Sequence, residues 1–204
     1  MNNLDYNRFE VKSGNETLKF KNRKLNHKLI EFWRWSSSDL LSNSLRGKFA
    51  EYIIAIAMDL NLNYSRDEWS AYDLEALIEI EEEKYISIKI EVKSSSYIQT
   101  WVQNGFSKII FSIKKKGVTN IKSKEEKLNR PSDVYVFCLL NHYDKNTANP
   151  LNLDQWLFYI VSTKKINKIF DNKVSISLNS LEKITTGVKF NEIKNRIINE
   201  YLEE

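Results

Sequence analysis

The chain has 204 residues and a formal net charge of +4, and 42% of its residues are hydrophobic. This length supports one sizeable core, and the apolar fraction argues against general disorder. The sequence contains one cysteine, Cys138, and two histidines, which excludes an intrachain disulfide and a Cys/His zinc site. No segment approaches the roughly 18 uninterrupted apolar residues of a membrane span, and the N-terminus lacks the features of a signal peptide. We therefore expect a globular, cytoplasmic protein.

The charges are grouped in blocks along the chain. Residues 12–28 hold six Lys or Arg and one acid, residues 67–91 hold nine acids and two lysines, and residues 108–130 hold eight Lys or Arg and two acids. A protein that holds cations beside a polyanion needs both signs of charge. Solvated surface loops are the simpler account of any single block.

The first elements in chain order are an arm and two helices. The polar composition of residues 12–27 predicts a mobile or turn-rich arm, and residues 29–35 read as a short helix. Ser44 is a suitable N-cap for a second helix over about residues 45–60. Its apolar side chains recur at helical spacing and extend nearly all round, so we expect this helix inside the fold. The predicted stripe consists of Phe49, Ile53, Ile56 and Leu60.

The next elements are strands. Apolar and polar residues alternate over 74–80 and again over 86–93, with an acidic turn between them, which predicts a hairpin. Four further β-branched or aromatic runs predict strands at 108–113, 134–140, 156–162 and 174–178. Residues 114–130 read as a long exposed loop or a polar helix, and an amphipathic helix over about 190–201 closes the chain. The prediction is an α/β fold with a mixed central sheet flanked by helices.

A group of charged residues lies on the predicted hairpin. Glu91 and Lys93 are two apart on one strand, so they point to the same face. With the turn centred near residue 82, Asp73 falls opposite about position 91 across the ladder. Two facing carboxylates repel unless a cation lies between them, and Mg²⁺ accepts carboxylate oxygens while keeping several waters. Lys93 would then orient an attacking water or stabilise charge on a phosphate.

This arrangement resembles the PD-(D/E)XK nuclease superfamily, which has a restriction-endonuclease-like fold. The motif positions are Glu51, Asp73, Glu91 and Lys93. The resemblance covers roughly residues 44–141, which makes residues 1–43 a basic and helical extension and residues 142–204 a C-terminal region of one domain. Tyr72 precedes Asp73 where the superfamily motif has proline.

The resemblance implies a Mg²⁺- or Mn²⁺-dependent nuclease that hydrolyses phosphodiester bonds, with DNA as the expected partner and RNA as the second option. It implies Asp73 and Glu91 as metal ligands and the Val92 carbonyl as a third. It also implies Lys93 as the catalytic lysine and Glu51 as an accessory acid. Two copies of the chain acting as a homodimer remain open.

Several further residues are candidates for contact with nucleic acid. They are Arg46, Lys48, Gln99, Trp101, Lys114, Lys115 and Lys116. Gln99 would bind a phosphate or a metal water and Trp101 would stack on a base, although a turn-capping Gln and a core Trp are equally consistent with the sequence. Arg46 and Lys48 would contact phosphate, or would be simple surface charges.

Two other functions stay open from the sequence. A protein that keeps the nuclease fold and binds nucleic acid or a partner without cleaving would show salt-dependent, metal-independent binding. An acidic pocket that hydrolyses a smaller phosphoester is the other option. No Ser/His/Asp or Cys/His catalytic set can be assembled from these residues.

Overall fold

The computed structural model of the chain describes residues 9–119 and 126–203. It contains ten strands and five α-helices within these ranges. The strands are β1 (Thr17–Phe20), β2 (Arg23–Lys28), β3 (Leu74–Glu81), β4 (Lys84–Ser96), β5 (Ile110–Ser112), β6 (Lys116–Thr119), β7 (Glu126–Asn129), β8 (Val134–Leu140), β9 (Trp156–Ser162) and β10 (Ser175–Ser177). The helices are α1 (Leu29–Ser37), α2 (Asn43–Ala57), α3 (Thr163–Phe170), α4 (Leu178–Leu181) and α5 (Ile193–Leu202).

The central sheet has four strands in the order β3-β4-β8-β9. The β3–β4 and β8–β9 pairs are antiparallel and the β4–β8 pair is parallel, so the predicted mixed sheet is confirmed. All seven residues of β8 are buried, because it is a central strand covered on both faces. The runs predicted at 108–113 and 174–178 do form strands, but β5 and β10 pair with each other in a separate ribbon.

Each face of the sheet carries its own core. The even-numbered β4 side chains Ile88, Ile90 and Val92 pack with α2 and α5 in the larger cluster. The odd-numbered β8 side chains Tyr135 and Phe137 pack on the opposite face, under β5, β10, α3 and α4. Glu91 pairs with Tyr135 in the ladder and Lys93 pairs with Phe137. The two charged residues therefore lie on the second face, as the alternation predicted.

Helix α2 confirms the predicted buried helix with shifted ends and a different stripe. Ser42 caps it instead of Ser44, since the Ser42 hydroxyl accepts a hydrogen bond from the Leu45 N–H. Its fully buried apolar residues are Ala50, Ile53 and Ile54. The predicted stripe members other than Ile53 are only partly buried, because the helix turns a different face toward the sheet.

Two predictions for the basic segments are wrong. The predicted arm at 12–27 contains the β1–β2 hairpin, whose turn residues Lys21 and Asn22 both have positive φ, as a tight hairpin turn requires. The predicted loop or polar helix at 114–130 contains the antiparallel strands β6 and β7, and its residues 120–125 lie outside the described ranges. Periodicity missed the first ribbon because β2 is exposed along its whole length and has no buried apolar face.

Candidate active site

The β3–β4 hairpin brings Asp73 to Glu91. Leu74 pairs with Ile90, and the Asp73 N–H donates to the Ile90 carbonyl at 3.1 Å, so Asp73 lies across from Glu91. The Val92 N–H in turn donates to Asp73 Oδ2 at 2.7 Å. This hydrogen bond fixes the Asp73 carboxylate against β4. The backbone position of Asp73 thus agrees with the predicted register of the hairpin.

Lys93 connects these two carboxylates. Its Nζ lies 2.6 Å from Glu91 Oε1 and 3.6 Å from Asp73 Oδ2. Burial alone would lower the pKa of Lys93, but the charges of Asp73 and Glu91 outweigh burial and raise the pKa. Lys93 is therefore a protonated cation at neutral pH.

Glu91 is the most deeply buried member of the group, with only 1% of its side chain exposed. A second cation reaches it from β6, because Lys116 Nζ lies 2.9 Å from both carboxylate oxygens. The same ammonium donates to the Ala71 carbonyl at 3.0 Å. The sequence singled out Lys116 as a contact for nucleic acid, and only the three-dimensional arrangement reveals it as a partner of Glu91.

Glu51 is held by an arginine that the sequence analysis did not single out. Arg66 approaches Glu51 Oε2 with Nη2 at 2.6 Å and Nε at 2.8 Å. Burial and the neighbouring Asp73 raise the pKa of Glu51, against the opposing effects of Arg66 and Lys93. Lys48, which lies three residues earlier on the same helix, pairs with Glu68 and not with Glu51. Arg66 directly precedes the acidic block, which was the one available signal.

The donors suit a cation held by two carboxylates. In the part of the chain that the structure describes, no group of three or more His, Cys, Asp and Glu side chains is placed to hold a metal. Mg²⁺ commonly uses one or two carboxylates and keeps its waters, and Asp73 with Glu91 provides that number. Glu91 Oε1 is buried, and its partners are the ammonium groups of Lys93 at 2.6 Å and Lys116 at 2.9 Å. An oxygen that already has cations as its partners fits a metal ligand.

A cleft of about 630 Å³ adjoins Asp73. Its lining includes Asp73, Glu75 and Leu77 from the β3 side, Ser87 of β4, and Arg66. Glu75 and Leu77 pair with Lys89 and Ser87, so they share the face of the sheet that bears Glu91. Asp73 is therefore reached from an open surface, whereas Glu91 keeps only 1% of its side chain exposed.

Two of the predicted nucleic-acid contacts are buried. Arg46 is 3% exposed and Gln99 is 6% exposed. Arg46 donates to the Leu41 carbonyl, the Asn43 side chain and Gln99 Oε1, and Gln99 donates to the Ser96 carbonyl. Burial lowers the pKa of Arg46 to about 10. The alternative of Arg46 as a surface charge is wrong, because this side chain joins the start of α2 to the loop after β4.

The other predicted contacts lie at the surface. Trp101 is 53% exposed, so the alternative of a core Trp is wrong. Lys48 and Lys114 are exposed, and Lys115 pairs with Asp171 at 2.7 Å. Of the seven predicted contacts, the structure brings only Lys116 into the acidic group.

Among the helices of the described ranges, none is both long and apolar enough to span a membrane.

The sheet, the acids and the two lysines define the class of protein first: an α/β protein with a group of carboxylates and ammonium groups on its central sheet. In a comparison with models of protein families, residues 2–180 match the family described as bacteriophage T4 endonuclease IV. The match covers most of the chain, so the chain belongs to this family. Membership in an endonuclease family implies a hydrolase of phosphodiester bonds. Comparisons with curated proteins and with solved structures give no match.

Proposed function

We propose that the chain is a metal-dependent DNA endonuclease of the PD-(D/E)XK type. The observation that carries the proposal is the convergence of Asp73, Glu91 and Lys93 on one face of the β3–β4 hairpin. The family described as T4 endonuclease IV supports the endonuclease activity. The order of these residues along the chain, which resembles the PD-(D/E)XK superfamily, supports the choice of metal chemistry.

Asp73, Glu91 and the Val92 carbonyl are the proposed ligands of a Mg²⁺ or Mn²⁺ ion. When bound, the ion would polarise a phosphate oxygen and lower the pKa of a bound water. Asp73 is preorganised for this role, since the Val92 N–H holds its Oδ2. Glu91 is positioned by two ammonium groups on a strand whose backbone is paired on both sides.

Lys93 acts as a fixed positive charge in this proposal. In the metal-free protein the neighbouring carboxylates raise its pKa above the usual value, against the effect of burial. Its ammonium orients the attacking water and stabilises negative charge that develops on the phosphate. Glu51 is an accessory acid whose orientation Arg66 controls.

The substrate strand would lie in the cleft beside Asp73 and continue over basic surface. The segments at 12–28 and 108–130 supply that surface, and Lys114 of the second segment is exposed. Outside the two segments, the exposed Lys48 adds a positive charge and the exposed Trp101 is available to stack on a base. Arg46 and Gln99 serve this proposal indirectly, by holding the loop that carries Trp101.

The test is cleavage by the purified parent and by Asp73→Asn and Lys93→Met, on circular single-stranded DNA, circular duplex DNA and RNA. We expect the parent to cut DNA with Mg²⁺ or Mn²⁺ and to be inactive in EDTA. Each variant should lose at least about a thousandfold in rate while its circular dichroism spectrum is retained. Glu79→Gln is the matched control, because Glu79 is an exposed acid on the same strand β3 and should cut like the parent.

Cleavage by both variants at the parental rate would remove these residues from the site. Cleavage of RNA alone would change the substrate, and cleavage in EDTA would exclude the metal. Salt-dependent binding without any cleavage would identify a binding protein that keeps the fold.

A further inference from the structure

Lys116 occupies the position at Glu91 where a metal ion is proposed to bind. Its ammonium is 2.9 Å from each carboxylate oxygen, so it contacts Glu91 in a bidentate manner. The third contact, to the Ala71 carbonyl, lies two residues before Asp73. One side chain thus bridges the segment that carries the first acid and the strand that carries the second.

The backbone that delivers Lys116 is anchored. Arg130 Nε donates to the Ile113 carbonyl at 2.7 Å, and Lys115 pairs with Asp171. Ile113 itself is fully buried in the second core cluster. The contact of Lys116 with Glu91 is therefore set by the fold on the N-terminal side of β6, and it is more than an encounter of a free lysine with an acid.

The charges explain why a lysine is useful there. Glu91 is almost completely removed from solvent, and a buried carboxylate without a counter-charge is costly. Lys93 and Lys116 together balance the charges of Glu91 and Asp73, since Lys93 contacts both acids and Lys116 contacts Glu91. A divalent ion at the same oxygens would lie at contact distance from the Lys116 ammonium, where like charges repel strongly. The ion and the ammonium cannot both keep these positions.

We propose that Lys116 is a resident counterion of the site: it holds Glu91 in the metal-free protein, and a divalent cation must displace it to bind. This inference rests on the proposed function, because it assumes that the metal binds at Glu91. It adds a competition between a side chain and the metal, which lowers the apparent metal affinity and stabilises the metal-free fold.

The first measurement is Mn²⁺ binding by isothermal titration calorimetry, with the parent, Lys116→Met, Lys116→Arg and Lys114→Met. We expect Lys116→Met to bind Mn²⁺ at least about tenfold more tightly than the parent, because the competing charge is gone. Lys116→Arg keeps the charge and should stay near the parent. Lys114→Met is the matched control, because Lys114 is an exposed lysine two residues before Lys116. It removes the same charge and should change the Mn²⁺ affinity less than about twofold.

The second measurement is thermal unfolding of the same proteins in EDTA and in saturating Mn²⁺. Lys116→Met should unfold at a lower temperature than the parent in EDTA, because Glu91 loses one counter-charge. This difference should shrink in Mn²⁺, where the ion replaces the ammonium. A purely structural role for Lys116 predicts the same loss in both conditions, and that result would overturn the proposal.

The two proposals fail in different ways. Equal or weaker Mn²⁺ binding by Lys116→Met, with tight binding by the parent, would overturn the counterion role and leave the metal-dependent function standing. An absence of Mn²⁺ binding in the parent and in all three variants would overturn the metal-dependent function and this inference with it. Binding by Lys116→Met alone would support the competition in its strongest form.

Discussion

The two basic segments, residues 12–28 and 108–130, have similar charge in the sequence and opposite placement in the structure. All six residues of β2 in the first segment are exposed. In the second segment the Arg130 side chain is completely buried, and Lys116 contacts an acid that is itself buried. The first segment directs its charge at the solvent, whereas the second directs part of its charge into the molecule.

The difference shows that a local excess of charge does not reveal its partner. The second segment contains β5, β6 and β7 and precedes β8, which pairs with β4 of the acidic hairpin, so the sheet brings it against that hairpin. The first segment forms its own ribbon and leads into α1, which has no buried residue. Exposed aromatic side chains accompany its charges, with Phe32 52% exposed and Trp35 84% exposed. Such a surface suits a ligand in solution better than an internal acid.

The largest expected effect on stability comes from the buried arginine of the second segment. Arg130 donates to the Ile113 carbonyl, the Lys173 carbonyl and the Asn167 side chain. Arg130→Met leaves these acceptors without their donor, so we expect a loss of about 2–4 kcal/mol in the free energy of unfolding by urea. Arg23→Met, at an exposed position of the first segment, should change it by less than about 0.5 kcal/mol. Equal losses would contradict the contrast between the segments.

The next effect concerns nucleic-acid binding by the first segment. The double change Arg23→Glu and Lys24→Glu should weaken DNA binding about tenfold or more, and should reduce the slope of log affinity against log salt by about 2. Thermal stability should be unchanged because both side chains are exposed. Fluorescence anisotropy with labelled DNA at several salt concentrations measures both quantities.

The matched control for this pair is Lys164→Glu with Lys168→Glu, the same charge reversal on exposed positions of α3 outside both segments. If the two double variants lower the affinity and the salt slope equally, the first segment has no special part in binding and only net charge matters.

Much of the sheet and the centre of the site were predictable from the sequence. Alternation defined β3 and β4, and the short acidic turn fixed their register, so Asp73 and Glu91 followed from local information alone. The apolar runs at β8 and β9 were as clear, because central strands are buried on both faces. Where apolar residues recur with the period of a strand, the sequence alone predicts the strand and the face that it buries.

The counter-charges were not predictable in the same way. Lys116 is 25 residues from Glu91 in the chain, and its partner depends on how β6 lies against the hairpin. Arg66 pairs with Glu51 across 15 residues of irregular and helical chain. Burial of Arg46 with Gln99 joins residues 53 apart. These contacts follow no local period. The residue type of a charged side chain also does not show whether it faces solvent or an internal acid.

The smallest expected effect on stability comes from Glu51. Its counter-charge, Arg66, lies outside both basic segments and so extends the comparison to a third place in the chain. Burial and Asp73 raise its pKa above the usual 4.5, which means that folding disfavours the ionised form despite Arg66. The stabilising effect of neutral Glu51 is fully present at pH values below the pKa of Glu51 in the unfolded chain. It is lost as the pH rises through the higher pKa of Glu51 in the folded protein. Glu51→Gln mimics the neutral form, so it should match the parent near pH 4 and be more stable near pH 8.

We expect this gain to be below about 1 kcal/mol, because Arg66 is partly exposed and loses its partner in the variant. Urea unfolding of the parent, Glu51→Gln and the exposed control Glu79→Gln at both pH values measures it. A variant less stable than the parent at pH 8 would mean that the ion pair with Arg66 outweighs the cost of burial. In that case Arg66 neutralises its acid as fully as we infer for Lys116, and strong internal pairing would not be confined to the second basic segment.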